Sequence, residues 1–186
     1  MSHAGFRYAG RVNRDEIQLY IERLATRLAE RDVAGEIAIF GGAAMVLAYR
    51  ARVSTRDVDA VFEPKAAVTA AAEEVTREDG APEGWLNDAV KGFLAAAAET
   101  RILFDLPNLR VFVATPEYLL AMKCMSMRLG RDETDLRDIR FLMRTLGLRD
   151  APSVLALVER YYPSDRIAPK TRFAIEELCQ QPGTAP

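Results

Sequence analysis

The sequence predicts an α+β protein in which a mixed β-sheet flanked by helices is followed by a bundle of helices. Strand patterns alternate with helix patterns up to about residue 115, and only helix patterns follow. The 186 residues are 49% hydrophobic and 28% charged, which is typical of one soluble globular domain. We therefore expect a single domain over residues 1–186, with an α/β core at 1–115 and a helical C-terminal subdomain at 116–186.

The helices are predicted from apolar spacing and from cap residues. A helix over residues 15–32 is indicated by an apolar face, and Asn13 with Glu16 forms the capping-box pattern at its start. Thr115 and Pro116 are typical of the first residues of another helix. The other predicted helices cover residues 65–78, 118–129, 133–146, 152–161 and 170–180.

The strands are short and have distinct patterns. Residues 36–40 form an apolar strand that ends at Gly41-Gly42, and a short helix over 43–50 follows. Residues 56–62 alternate polar and apolar before Pro64, so Asp57 and Asp59 share one face of a strand. Residues 101–106 and 110–114 predict a hairpin, residues 85–98 a loop followed by a helix, and residues 181–186 a frayed tail.

The composition excludes several classes of protein. Disordered, collagen-like and disulfide-scaffold proteins do not have this composition. Cys124, Cys179 and the single histidine, His3, are too few for a zinc site or a disulfide framework and receive no catalytic role. The longest apolar stretch, residues 40–49, contains two glycines and is too short to cross a membrane. We expect no signal segment, no membrane partner and a cytoplasmic protein.

Charge is distributed unevenly along the chain. Residues 118–149 hold seven basic and four acidic side chains, a local charge of +3 in a chain whose net charge is −2. One interpretation is a solvated helix face with ion pairs. The other is a surface that binds a polyanion such as RNA, with Arg137, Arg140 and Arg144 as the candidate contacts.

Asp57 and Asp59 together with Gly41-Gly42 are the strongest chemical signal. Two carboxylates about 6.6 Å apart along a strand, two rises of about 3.3 Å, can bind Mg²⁺, which prefers oxygen ligands. Glycines between a strand and a helix let a phosphate approach the backbone amides. Each feature alone has an ordinary explanation, namely solvated aspartates and a tight turn. Together they favour a phosphate site at adjacent strand ends.

The residues of this region resemble a known family. Residues 39–44, Ile-Phe-Gly-Gly-Ala-Ala, and residues 52–59, Arg-Val-Ser-Thr-Arg-Asp-Val-Asp, are similar to the signature of the nucleotidyltransferase (DNA polymerase β-like) superfamily. Residues 115–123 with 131–138 resemble the later motifs of its AbiEii-type branch. That branch includes toxins of type IV-like toxin–antitoxin systems, such as the MenT group. The resemblance covers about residues 36–148 and implies the nucleotidyltransferase fold.

The resemblance implies roles for individual residues. Asp57 and Asp59 would be the carboxylates that bind the metal. Gly41 and Gly42 would bind the phosphates of an NTP, and Thr55 would lie at the edge of the same phosphate site. Lys123 would meet the triphosphate and neutralise the departing pyrophosphate. Asp138 would support the site by orienting Lys123 or a substrate hydroxyl. The implied activity is Mg²⁺-dependent transfer of a nucleoside monophosphate to the 3′ end of RNA, in particular the tRNA acceptor end, which blocks translation, and a cognate antitoxin is an implied partner.

The chain departs from the family pattern at two places. Many members have Gly-Ser where this chain has Gly41-Gly42, so a hydroxyl contact is missing here. A third carboxylate is common in polymerase-like transferases, and Asp105 is the one candidate in a strand context. The base that takes the acceptor proton therefore stays open between a hydroxide on the metal and Asp138.

Other interpretations remain beside this one. The acceptor could be a protein or a small molecule, and the chain could be a binding module or antitoxin without catalytic activity. Lys123 lies in an apolar helix, where a lysine is often a surface residue whose stem alone is buried. The aspartates near Asp138, at spacings of three, could form an ion-pair network with arginines. The segment 85–88 could line a pocket, although we favour an anchoring role for it.

Overall fold

The computed structural model describes residues 10–89, 95, 98–127 and 133–180 of the chain. These residues form two compact units, one from the described parts of 1–91 and 101–113, the other from those of 92–100 and 114–186. The predicted single domain with a boundary after residue 115 stays a prediction. The predicted tail at 181–186 and His3 lie outside the described residues, as do parts of the predicted segments 85–98 and 118–129.

Strands and helices alternate in the first unit, and helices fill the second. The strands are β1 (Val12–Asn13), β2 (Gly35–Ile39), β3 (Ser54–Thr55), β4 (Val58–Glu63), β5 (Leu86–Asn87), β6 (Thr100–Leu106) and β7 (Leu109–Ala114). The helices are α1 (Arg14–Ala29), α2 (Gly41–Leu47), α3 (Lys65–Asp79), α4 (Pro116–Ser126), α5 (Glu133–Thr145), α6 (Ala151–Tyr161) and α7 (Pro169–Gln180). The predicted α+β class is confirmed.

The main sheet is mixed and has the strand order β5-β4-β2-β7-β6. β4 runs antiparallel to β2, whereas β7 is parallel to β2 and β5 is parallel to β4. The carboxyl ends of β2 and β7 therefore lie at the same edge of the sheet as the amino ends of β4 and β5. We call this the site edge, because Gly41 follows β2 there and Asp59 is the second residue of β4.

The core of the first unit is built on the patterns that the sequence shows. Val58, Ala60 and Phe62 of β4 are buried and alternate with more exposed residues. α1 packs against α3 through the predicted apolar face, whose residues are all at most 2% exposed: Ile17, Ile21, Leu24 and Leu28. Burial of each such side chain contributes about 1.5 to 3 kcal/mol.

The start of α1 confirms the predicted capping box. The Glu16 N–H donates to Asn13 Oδ1, and the Asn13 N–H donates to Glu16 Oε2, both at 3.0 Å. α1 ends at Ala29, three residues before the predicted end, and Asp32 has a positive φ of 51° that a helix does not allow. α2 begins at Gly41, two residues before the predicted start. It ends at Leu47, before the predicted end at residue 50, where Arg50 has a positive φ of 52°.

In the second unit, α4 contacts α5, α6 and α7. Thr115 caps α4 by accepting from the Tyr118 N–H at 3.3 Å, and Pro116 is its first residue, as predicted.

Cys124 of α4 is fully buried, and burial raises the pKa of its thiol to about 12. The Cys124 thiol is therefore protonated at neutral pH.

None of the helices in the described ranges combines the length and the apolar character that crossing a membrane requires.

Candidate active site

Gly41 and Gly42, which we call the glycine turn, are the first two residues of α2 and follow β2 and Phe40 at the site edge. Gly41 has a φ of 57°, a left-handed conformation that favours glycine. A Cβ on Gly41 would lie 3.0 Å from Asp59 Oδ2, and a Cβ on Gly42 would lie 2.5 Å from Thr55 Oγ1 and 3.2 Å from Arg52 Nη1. The backbone of the turn therefore lies directly against a carboxylate, a hydroxyl and a guanidinium, and only glycine fits at these positions without a shift of its neighbours.

Asp57 directly precedes β4, and Asp59 is the second residue of that strand, beside the glycine turn. The Phe40 N–H donates to the Asp59 carbonyl oxygen at 2.9 Å, which ties the end of β2 to the start of β4. Asp57 and Asp59 are both half-buried on either side of the fully buried Val58, as the strand alternation predicts. The two carboxylates thus belong to the polar face of one strand at the site edge.

Asn87 of β5 fixes the orientation of one carboxylate. Its Nδ2 donates to Asp57 Oδ2 at 2.9 Å, and the parallel register of β4 and β5 sets Asn87 opposite Asp59. Neighbouring Trp85 is buried and donates from Nε1 to the Ala72 carbonyl oxygen at 3.3 Å, so it anchors this segment to α3. A hydrogen bond of this kind holds a carboxylate ready for a ligand at its other oxygen.

Thr55 is held by a second, smaller sheet. β3 pairs antiparallel with β1, with Thr55 opposite Val12. Arg11 donates to the Ser54 hydroxyl at 3.1 Å and to the Ser54 carbonyl oxygen at 3.0 Å. Thr55 is only 5% exposed, so the hydroxyl that faces Gly42 is fixed in position by packing on both sides.

A lysine cluster, Lys123 with Asp135 and Asp138, lies in the second unit. Lys123 Nζ is 2.7 Å from Asp138 Oδ2 and 3.0 Å from Asp135 Oδ1. Lys123 is 6% exposed and Asp138 2%, whereas the Asp135 side chain is 29% exposed. The interpretation of Lys123 as a surface lysine is therefore wrong. A buried ammonium needs such partners because taking a charge out of water is costly.

Lys123 forms ion pairs with both Asp138 and Asp135. The alternative of an ion-pair network between the aspartate stripe and arginines stays a prediction beside these contacts. Residues 128–132, which include other charged positions of this stripe, lie outside the described residues. The catalytic roles of Lys123 and Asp138 stay predictions.

The three arginines proposed from the charge distribution lie on α5. Arg137 and Arg144 are exposed and Arg140 is half-buried, whereas Ile139, Leu142 and Met143 are buried. The spacings of three and four place Arg137, Arg140 and Arg144 along one side of the helix. The arginine side of α5 thus faces away from its apolar side.

The structure brings together five of the predicted site residues at the site edge: Gly41, Gly42, Thr55, Asp57 and Asp59. Sequence reasoning missed Arg52, Asn87 and Asp135. The signal for Asn87 was weak, because its partner Asp57 is 30 positions away and the two-residue strand β5 has no pattern of its own. Arg52 and Asp135 stood inside the recognised motifs, but nothing in their spacing separates them from surface residues.

Asp105, the candidate third carboxylate, lies at the wrong end of the sheet. β7 pairs with β2 from Gly35 opposite Leu109, so the hairpin between β6 and β7 is at the edge opposite the site edge. Asp105 is 68% exposed and pairs there with Arg110 at 3.6 Å. It therefore does not join the aspartates of β4.

The donor set at the site edge fits a magnesium ion. Among the described residues, no group of three or more histidine, cysteine, aspartate or glutamate side chains could hold a metal. Mg²⁺ does not require such a group, since it is commonly bound by one or two carboxylates together with substrate phosphates and water. Asp57 and Asp59 would supply the carboxylates, and Asp59 Oδ2 lies close to the backbone of the glycine turn at Gly41.

Comparison with known proteins identifies the family of the chain. No significant match was found among curated proteins or among solved structures. A family model described as a nucleotidyltransferase of unknown function (DUF6036) matches residues 18–145, which include the glycine turn, both aspartates and the lysine cluster. Since this match covers more than half of the chain, the protein belongs to the DUF6036 family of nucleotidyltransferases, and its substrate is a nucleotide.

Proposed function

We propose that the protein is a Mg²⁺-dependent enzyme that transfers a nucleoside monophosphate from an NTP to the 3′ hydroxyl of RNA, in particular the acceptor end of tRNA. By its resemblance to the AbiEii-type branch and the MenT group, it would act in the cytoplasm as a toxin that blocks translation and is paired with an antitoxin. The observation that supports the transferase part is the close approach of the Gly41-Gly42 backbone to Asp59 Oδ2 and Thr55 Oγ1.

The glycine turn is suited to binding phosphates. Its backbone carries no side chain that would keep a phosphate away from the amides. The first N–H groups of a helix have no partner within that helix, so Gly42 and its neighbours can donate to phosphate oxygens. The buried Thr55 hydroxyl adds a fixed donor beside them. α2 has seven residues, so these individual donors, rather than a long helix, would carry the interaction.

The aspartates would hold the metal. Asp57 and Asp59 would hold Mg²⁺, and the charge of the metal would offset the negative charge of the triphosphate. Asn87 keeps the Asp57 carboxylate in one orientation, and the pairing of β2 with β4 keeps Asp59 at the glycine turn. The transferred phosphorus gains a bond to the 3′ oxygen and loses its bond to pyrophosphate.

The lysine cluster would contribute a positive charge. Following the resemblance, Lys123 would meet the triphosphate, and Asp138, with Asp135 beside it, would hold the Lys123 ammonium in place. Asp138 is also a candidate for taking the acceptor proton. Arg137, Arg140 and Arg144 on α5 would contact the RNA backbone.

A direct experiment is to incubate the protein with Mg²⁺, labelled NTPs and total RNA, and to identify the molecule that becomes labelled. We expect label in RNA of tRNA size with the native protein and none with Asp59→Asn. Label in a protein or a small molecule instead would identify the other class of acceptor. Complete absence of label and of NTP binding would favour a binding module or an antitoxin.

Salt dependence separates the acceptors further. Transfer to RNA is expected to fall steeply as the salt concentration rises, because phosphate contacts release counterions, whereas a small-molecule acceptor shows a weak dependence. Charge reversal at Arg137, Arg140 and Arg144 is expected to lower RNA transfer without changing NTP binding. Unchanged transfer would contradict the role of α5.

A further inference from the structure

The chain returns from α2 to Thr55 through a loop rich in arginine. Arg50, Arg52 and Arg56 stand within seven consecutive residues that contain no acidic side chain. Arg50 and Arg56 are exposed, and Arg52 is half-buried against Gly42, with Nη1 3.2 Å from the position of a Cβ there. The loop therefore carries positive charge from the far end of α2 back to the glycine turn.

Arg101, which belongs to β6, adds a further positive charge near this loop. β6 is joined to β7 by a two-residue turn at the opposite edge, so β6 begins at the site edge. Arg101, its second residue, is exposed, and its guanidinium lies 5.8 Å from the centroid of the Tyr49 ring. Tyr49 immediately precedes Arg50. We call Arg50, Arg52, Arg56 and Arg101 the arginine patch.

Arg50 and Arg56 differ in their partners from the arginines of α1 that form ion pairs. On α1, Arg23 pairs with Asp79, Arg27 with Glu78, and Arg31 with Glu74. Within the part of the chain that the structure describes, Arg50 and Arg56 form no ion pair with a carboxylate. Two exposed cations without a carboxylate partner, next to a phosphate-binding turn, favour an anionic ligand.

We infer that the arginine patch binds the RNA acceptor, with its phosphates on Arg50 and Arg56 and an unpaired base near its 3′ end on Arg101. This inference rests on the proposed function, which requires an RNA end at the site edge. α2 has seven residues and spans about 10 Å, and the loop returns from its far end to Thr55 over a comparable length.

Arg101 has the form of a stacking platform. Proteins that bind single-stranded RNA stack unpaired bases on aromatic rings or on guanidinium planes. The Arg101 guanidinium is supported on one side by Tyr49 and is exposed, so its other side can receive a base. Arg52, which lies against Gly42, is placed between the acceptor and the phosphates of the NTP.

The test compares two double variants of equal charge. Arg50→Ala/Arg56→Ala removes two cations of the patch, and Arg77→Ala/Arg110→Ala removes two cations elsewhere on the first unit that pair with Glu74 and Glu36. Binding of a fluorescent RNA hairpin with an unpaired 3′ end is measured by anisotropy across a salt series. For the patch variant only, we expect about tenfold weaker binding. The slope of log K against log salt concentration should also become shallower by about 1.4, because each lost phosphate contact contributes about 0.7.

A second variant tests the stacking platform. Arg101→Lys keeps the charge but removes the guanidinium plane. We expect weaker binding of the hairpin with an unpaired 3′ end and unchanged binding of the same hairpin with a blunt end. Equal effects on both hairpins would contradict stacking, because a purely electrostatic contact does not distinguish them.

The outcomes separate this inference from the proposed function. If native protein labels RNA but both double variants bind the hairpin equally well, the arginine patch is overturned and the transferase proposal stands. If the patch variant alone loses hairpin binding although no label enters RNA, the patch is supported as an RNA site and the proposed transfer fails. Calorimetry with Mg²⁺ and NTP, expected to be unchanged in Arg50→Ala/Arg56→Ala, excludes damage to the glycine turn.

Discussion

The glycine turn in the first unit and the lysine cluster in the second are built on opposite principles. The glycine turn has no side chains at its two positions. A carboxylate, a hydroxyl and a guanidinium can therefore approach its backbone closely. In the lysine cluster, Lys123 and Asp138 are buried and lie 2.7 Å apart, and the partly exposed Asp135 adds a second contact to Lys123 at 3.0 Å. The first arrangement gathers polar side chains around backbone that carries no side chain, whereas the second holds a charge in place through its own partners. Substitutions should therefore affect mainly ligand binding in the first and mainly folding in the second.

The largest effect on function is expected at Asp59. Asp59→Asn removes the charge that faces the glycine turn, and we expect labelled transfer to fall about a thousandfold, the scale of losing a central electrostatic contact. The free energy of unfolding should change by less than about 1 kcal/mol, since the half-buried side chain keeps its shape. Glu63→Gln, at the exposed end of the same strand, is the control and should transfer normally. Equal activities of the two variants would contradict the role of Asp59.

The largest effect on stability is expected at Lys123. Lys123→Ala leaves the buried Asp138 without its ammonium partner, which costs about 3 to 5 kcal/mol of the free energy of unfolding. Urea unfolding followed by circular dichroism measures this loss. Lys170→Ala, on the exposed part of α7, should change the same quantity by less than about 0.5 kcal/mol. A Lys123→Ala protein as stable as the native one would show that the cluster does not contribute to folding.

A smaller effect on both properties is expected at Gly42. In Gly42→Ala the new methyl group would lie 2.5 Å from Thr55 Oγ1, so Thr55 has to shift, at a cost of about 1 to 3 kcal/mol. Calorimetry should show weakened NTP binding. Adding Thr55→Ala removes the clashing hydroxyl and should restore part of the lost stability without restoring NTP binding. Full stability of Gly42→Ala would mean that the turn is less tightly packed than the structure shows.

The smallest effect is expected at Asn87. Asn87→Ala removes the hydrogen bond to Asp57 Oδ2, and loss of a partner that orients a metal ligand weakens metal affinity by about tenfold. A titration of transfer activity against Mg²⁺ should therefore shift to higher concentration and reach a similar maximum. A reduced maximum with an unchanged Mg²⁺ midpoint would place Asn87 in another role.

Local patterns in the sequence predicted the parts of the site that depend on neighbouring residues. The strand before Gly41, the polar face that carries Asp57 and Asp59, and the capping box at Asn13 each follow from side chains within a few positions. The family resemblance added Lys123 and Asp138, which spacing alone interpreted as surface residues. Their burial depends on the packing of α4 against α5, and a single helix pattern does not contain that information.

Contacts between segments that are far apart in the chain could not be predicted from the local sequence patterns. Asn87 reaches Asp57 because β5 pairs with β4, and a two-residue strand is too short to show a period. Asp105 was the one candidate for a third carboxylate in a strand context, but the hairpin places it at the opposite edge of the sheet. Arg101 reaches Tyr49 only because β6 begins at the site edge. In each case strand order, rather than local sequence, decides the position.

The central claim is that the glycine turn and the two aspartates form one Mg²⁺-dependent nucleotide site. Titration calorimetry of NTP with and without Mg²⁺ tests it most directly on native protein, Gly42→Ala and Asp57→Ala. The account predicts Mg²⁺-dependent binding by the native protein and a loss of that binding in both variants. Absence of NTP binding by the native protein, or native affinity in both variants, would contradict it.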